Sequence, residues 1–252
     1  MRADSHGPEV KVPALTLGFW LIKILATTLG ETGGDAVSMS MDLGYFLATL
    51  IFMLVFVACV VAQVSAARFH PLLYWATIIC STTVGTTLAD FATRSLGIGY
   101  AGGSTLLFLL LLACLFTWYR AAGTVGIASI DNRKSEWFYW LTIMFSQTLG
   151  TALGDWTADT AGLGYLGAAA IFSGLLMVIV ALHFGSRISK TVLFWAAFVL
   201  TRPLGAVVGD FLDKPHAQGG LELSRYLATA CLFAAILMLV LLLPQRPAKS
   251  AH

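Results

Sequence analysis

Asp35, Asp90, Asp155 and Asp210 share one local setting, a glycine five residues upstream and a run of small and hydroxyl-bearing residues between apolar stretches. Glu31 adds a fifth acid one helical turn before Asp35. Carboxylates inside apolar runs are costly unless they are paired, hydrated or bound to an ion. Their hard oxygens are the ligands that divalent cations take. Stepping back by fours from each aspartate gives Lys23, Thr27, Glu31, Asp35; then Ile78, Thr82, Thr86, Asp90; then Ile143, Gln147, Thr151, Asp155; and Phe198, Arg202, Ala206, Asp210. Side chains four apart share one helix face, so each segment carries a polar track ending at its aspartate. Thr27, Thr82, Thr86, Gln147 and Thr151 supply neutral oxygens along it. Lys23 and Arg202 set two positive charges against five acids, leaving a net charge of −3 if all are ionised. Two plainer accounts compete: each aspartate caps a following helix, or sits in wetted headgroups.

The elements that must position these residues follow from composition and repetition. The 252-residue chain is 58% hydrophobic and 11% charged, with mean hydropathy +0.83; a soluble domain carries about 25% charged residues. The sequence reads as an all-α, polytopic membrane protein. With Trp20, Trp75, Trp140 and Trp195 in one column, the steps are 55, 65 and 55 residues, and the glycines and aspartates align with them. Between Tyr74–Tyr100 and Tyr139–Tyr165 nearly half the positions are identical without a gap. Each repeat holds a polar-tracked segment, a short glycine turn and a featureless apolar segment. A bilayer core of about 30 Å needs about 20 apolar helical residues. Eight spans are therefore expected near 14–34, 43–65, 72–91, 100–120, 137–156, 164–184, 191–211 and 223–244. They form one transmembrane domain with halves 14–121 and 134–244, joined by a cytoplasmic linker whose "DNRKSE" charges are expected to be solvated. The first thirty residues resemble a signal peptide in charge pattern, but they match the later repeats and are expected to be a retained span.

Each odd span also carries small residues four apart, at Gly30 and Gly34, Gly85, Gly150 and Gly154, and Gly205 and Gly209. Such stripes let helix backbones approach closely in lipid, so the odd helices are expected to pack on each other. Ten of the fifteen Lys and Arg fall in the tails and even connections, among them Arg2, Lys11, Arg133, Lys134, Lys190 and Lys249. That bias places both termini in the cytoplasm and makes the four repeats parallel. The aspartate lies fifteen residues beyond its tryptophan, a rise of about 22 Å. If the tryptophans mark an interfacial belt, the acids lie about 8 Å inside the opposite edge of the core. Lys23 is close enough to the cytoplasmic edge to snorkel. Arg202 is too deep, so an internal partner is expected, Glu31 or an aspartate of a neighbouring repeat, and Pro203 is expected to kink its helix.

In "WATIICSTTVGTTLADFATRSLGIGY" and its three copies the chain resembles a family of bacterial inner-membrane proteins built from a four-fold glycine–aspartate repeat of unknown function. The resemblance covers nearly all of residues 14–244 and implies a multi-span inner-membrane protein with no settled activity. The fourth copy departs from it, with "TRPLGAVVGDFLDKPHAQGG" lacking the closing tyrosine, so a two-fold arrangement of distinct pairs is an alternative to strict four-fold equivalence. More loosely, "GETGGD" is similar in residue type, not spacing, to the motifs of some cation exchangers. The leading expectation is a transporter or exporter of a small cation, a divalent metal first, held by Asp35, Asp90, Asp155, Asp210 and Glu31, with Lys23 and Arg202 tuning charge. A non-transporting scaffold or sensor is the alternative, and an intramembrane aspartyl hydrolase a more distant one, since no clean GxGD motif exists. No resident cofactor is expected beyond a bound divalent cation. The partners are the lipid bilayer and the cation, with a homo-oligomer left open. Basic residues are too few and scattered for nucleic acid. The four cysteines lie in apolar runs without CxxC spacing and read as buried hydrophobes, and His216 reads as a loop histidine.

Overall fold

The computed structural model describes residues 10–248. Arg2 and Lys249, two of the cations that orient the chain, lie outside the described residues. Eight α-helices account for the architecture: α1 (Leu17–Asp35), α2 (Gly44–Ser65), α3 (Pro71–Asp90), α4 (Gly99–Ala122), α5 (Arg133–Asp155), α6 (Gly164–Gly185), α7 (Lys190–Asp213) and α8 (Arg225–Leu242). Their starts carry local signals. Thr16 and Asn132 accept the backbone N–H of Phe19 and Ser135 as N-caps of α1 and α5, and Pro71 opens α3, where its missing N–H costs nothing. In the first three repeats the odd helix passes into one π-helical turn, at Ala36–Ser40, Phe91–Ser95 and Trp156–Thr160. The even helix then starts at a glycine with positive φ, Gly44, Gly99 or Gly164. That geometry suits a residue without Cβ, which accounts for the glycine that closes three of the repeats. Asp42 adopts φ 55° where Gly97 and Gly162 stand in the next two copies.

The odd helices form a closed inner ring, with α1 against α3, α3 against α5, α5 against α7 and α7 against α1. The even helices lie outside. Each packs on the inner helix of the following repeat: α2 on α3, α4 on α5, α6 on α7, and α8 back onto α1. No repeat encloses its own polar stripe; the circle closes only with four. The outer helices turn large apolar residues outward, among them Leu54, Phe116, Met177, Phe184 and Leu241, as a lipid-facing surface requires.

Among the described residues six helices are long and apolar enough to cross a membrane: α2, α3, α4, α6, α7 and α8. The eight expected spans are thus eight helices but six apolar candidates. α1 falls short because Lys23 and Glu31 sit within it, and α5 because Ser146, Gln147 and its threonines thin the apolar run between its charged ends. The described residues form an all-helical, membrane-like protein.

Opposite the aspartates, the inner ring is filled by aromatics. Phe19, Tyr74, Tyr139 and Phe194 are buried, and the Tyr74 and Tyr139 hydroxyls lie 2.7 Å apart. The expected interfacial tryptophan belt does not form. Trp75, Trp140 and Trp195 are buried in the protein core rather than turned to an interface, and Trp195 Nε1 donates to Val125 O. Trp75 packs on Phe19 and Tyr74, Trp140 on Tyr74 and Tyr139, and Trp195 on Trp118 of α4, partners that a helix-by-helix reading of depth does not anticipate. The terminal segments seal this end, with Ala14 N donating to Arg246 O and Ala248 N to Val12 O. Lys11, expected only as a cytoplasmic charge, is buried. Its Nζ donates to the carbonyls of Gln63, Val64 and Ala66 at the end of α2 and pairs with Glu136 at 2.8 Å. Glu136 is therefore not a solvated linker charge: it is 4% exposed.

Candidate cation site on the bundle axis

The inner-ring interfaces repeat one contact. A Cβ placed on Gly30 would run into Thr82, on Gly85 into Gln147, on Gly150 into Arg202, and on Gly205 into Thr27. One turn on, Gly34 faces Thr86, Gly154 faces Ala206 and Gly209 faces Glu31. The small stripe of each odd helix thus receives the polar stripe of the next, around the circle. Thr27, Thr82 and Thr86 hydroxyls reach across these seams to Thr201 O, Ala26 O and Gly30 O at 3.1–3.2 Å. Interhelical hydrogen bonds and close backbone packing are what hold helices together where lipid is as apolar as leucine.

Arg202 occupies the axis. It is fully buried, and its Nη2 lies 3.0 Å from Glu31 Oε2 and donates to Thr86 Oγ1 at 2.6 Å and Thr151 Oγ1 at 2.5 Å. One guanidinium thereby joins all four inner helices. Of the two expected partners, Glu31 is the one used. α7 runs unbroken through Pro203. Lys23 does not snorkel: it is fully buried, 4.1 Å from the centre of the Phe198 ring, with Nζ 3.4 Å from Thr201 Oγ1. A cation over an aromatic face is attracted by the ring quadrupole. Gln147 is also fully buried, and neither end of its amide has a hydrogen-bond partner among the described residues. Thr148 turns instead to Met144 O on its own helix.

The four aspartates form the next layer, each 1–3% exposed. They neither cap helices nor face bulk water. They are joined in twos. Lys214 Nζ hydrogen-bonds Asp35 Oδ2 and lies 3.0 Å from Asp210 Oδ1. Arg94 Nε lies 3.0 Å from Asp90 Oδ1, and its Nη2 lies 3.3 Å from Asp155 Oδ2. A single four-fold constellation is thus replaced by two clamps. Arg94 and Lys214 are site residues that the sequence reading above does not single out. Each follows its aspartate by four, and they stand 120 residues apart, the offset between the two halves. That spacing was the available signal. In the other two copies Met39 and Asp159 take the position, which makes the ring two-fold rather than four-fold. With these two cations the charge of the track falls from −3 to −1.

The clamps differ. Beside the first, Glu31 joins Asp35 and Asp210, and one carboxylate oxygen from each lies within 4.8 Å of the others. Thr151 stands in the corresponding place beside the second. Asp35 Oδ1 has no hydrogen-bond partner among the described residues. Three hard oxygens at this spacing fit the donor set of a divalent cation. Beyond Lys214, α7 ends, and the segment to Ser224 folds back with Glu222 N on Lys214 O. Arg225 Nε ties α8 to Asp213 at 2.8 Å. His216 Nδ1 faces Gly220 O at 2.9 Å within that loop, away from any metal-ligand set found among the described residues.

A family model described as Repeat of Unknown Function (DUF347) matches the chain four times, over residues 18–69, 73–124, 138–189 and 193–246. Each match spans one inner helix and the outer helix that follows it. No curated protein and no solved structure matches the chain.

Proposed function

We propose, for a chain that belongs to the DUF347 repeat family, a multi-pass transporter or exporter of a small cation, with a divalent metal as cargo. The observation behind this reading is the convergence of Glu31, Asp35 and Asp210, buried side by side on the axis of a helical ring. Buried acids of this kind in membrane helices mark ion pathways more often than they serve packing alone. In this account all eight helices span the bacterial inner membrane, with both termini in the cytoplasm. α1 and α5 tolerate low hydropathy because their neighbours in the ring shield them from lipid.

Cargo binds where Lys214 now bridges Asp35 and Asp210. Lys214 acts as a tethered counter-ion that keeps the acids compensated and yields to the incoming ion. Arg202 holds Glu31 and fixes the floor of the site. The Arg94 clamp on Asp90 and Asp155 is the permanent half, stiffening the ring opposite. Passage beyond the site requires the Arg202 layer and the Tyr74–Tyr139 layer to part, and relative movement of the two repeat halves would do this.

One observation favours the scaffold or sensor reading: each of the four aspartates is already paired with a cation. The same bridges weigh against a hydrolase, which needs two carboxyls sharing a proton. Reconstituted in proteoliposomes, the wild-type chain is expected to carry Mn²⁺ or Ca²⁺ across the membrane, Asp35→Asn and Asp210→Asn to lose that flux while melting near the wild-type temperature, and Asp90→Asn, which loosens the Arg94 clamp, to melt at a lower temperature. Wild-type flux in the first two variants would remove the transport reading. Loss of folding in all three, with no flux in the wild type, would favour the scaffold.

A further inference from the structure

A groove of about 420 Å³ opens on the lateral face where α6 leaves α1 uncovered, at the end of the bundle opposite the aspartates. Leu17, Trp20, Val180, Phe184, Leu193 and Ala197 form much of its wall. Its size falls in the range of ligand clefts, roughly 300–1,000 Å³, and its lining is chiefly apolar. No acid lines it. Lys190 and His183 stand in its wall, and Arg187 is exposed in the short connection between them. Neither Lys190 nor Arg187 has a carboxylate partner among the described residues. A related, smaller groove of about 150 Å³ lies between α2 and α5, where Trp137 and Trp140 take the places of Leu17 and Trp20 at the 120-residue offset. No lysine or arginine lines that one.

We infer that the α1–α6–α7 groove is a binding site for one anionic phospholipid of the bilayer, its acyl chain in the apolar cleft and its phosphate against Lys190, Arg187 and His183. A lipid-facing apolar cleft with a cationic end matches both halves of that ligand, and basic pockets between membrane helices hold anionic headgroups by the same attraction. The helix ends agree: Lys190 and Arg187 project where the outer helix α6 has finished, at headgroup level for a helix of this length. The site rests on the membrane location alone and uses no residue of the carboxylate layer.

The test is native mass spectrometry of the full chain from nanodiscs holding equal amounts of phosphatidylglycerol and phosphatidylcholine with the same acyl chains. The wild type is expected to retain one phosphatidylglycerol in preference to phosphatidylcholine. Lys190→Gln should lower that preference about fivefold, the effect of one cation near a lipid surface. Ala197→Phe should remove retention by filling the cleft, and Lys134→Gln, an exposed cation in the first turn of α5, should leave it unchanged. Equal retention of the two lipids, or equal losses in Lys190→Gln and Lys134→Gln, would overturn the assignment; the Lys190 variant changes only an exposed side chain, so its result stands even if Ala197→Phe fails to fold.

Discussion

Arg202→Met tests the core of the ring. Arg202 and Glu31 are both buried, 0% and 3% exposed, with 3.0 Å between Nη2 and Oε2. Removing the guanidinium leaves Glu31 with the Thr86 hydroxyl at 3.2 Å as its remaining side-chain partner, and leaves the Thr151 hydroxyl only Gln147 O, at 3.4 Å on its own helix. Breaking one side of a buried pair costs about 3–5 kcal/mol, because the charge left behind has neither water nor a counter-ion. Glu31→Gln should cost a comparable amount by stranding the arginine. The double variant Glu31→Gln/Arg202→Met has no buried charge at either place, and methionine fills much of the arginine stem's volume. Replacing both partners in this way is often neutral or better, so the double variant should lie within about 1 kcal/mol of wild type. The measurement is equilibrium unfolding in mixed micelles of mild detergent and dodecyl sulfate, followed by tryptophan fluorescence. Independent sites add within about 0.5 kcal/mol. If the two single losses sum to the loss in the double variant, the two side chains do not meet on the axis and the ring as described is wrong.

Two further perturbations follow from the packing. Gly150→Ala puts a methyl group against Arg202 Cβ and Cγ and should cost about 1–3 kcal/mol, the usual penalty of overpacking. Gly174→Ala, in the outer helix α6 with no atom within 4 Å of the new methyl, should instead gain about 0.5–1 kcal/mol; the same sign for both, in the same unfolding assay, would contradict the inner and outer assignment. Lys11→Met uncaps the last carbonyls of α2 and leaves Glu136 unpaired, so a loss of about 3 kcal/mol is expected, against less than about 0.5 kcal/mol for the exposed Lys134→Met.

The repeat period, the division into polar-tracked and featureless helices, and the glycine stripes were all legible in the chain, because each is a local pattern recurring four times. The closed ring follows from them once every odd helix has a small face and a polar face that must both be covered. What the pattern did not carry is which helix meets which. α2 packs on α3 rather than on α1, and Trp75 is buried against Phe19 of the neighbouring inner helix rather than set at a lipid interface. The pairing of the aspartates was hidden for a related reason. Arg94 and Lys214 lie just past the apolar runs and look like connection charges until the helix is followed one more turn. Their four-residue spacing from Asp90 and Asp210, and their absence from the first and third copies, encode the two-fold clamp. Lys11 and Glu136 are far apart in sequence, and nothing local in either segment announces their contact.

The central claim is that Glu31, Asp35 and Asp210 take a cation in competition with the Lys214 ammonium. Calorimetric titration of the purified chain with Mn²⁺, wild type beside Lys214→Met, measures that competition. Removing the tethered charge should tighten binding about tenfold or more, at least 1.4 kcal/mol, and Asp35→Asn on the Lys214→Met background should abolish it. Equal affinities with and without Lys214, or no binding heat in either protein, would contradict the account.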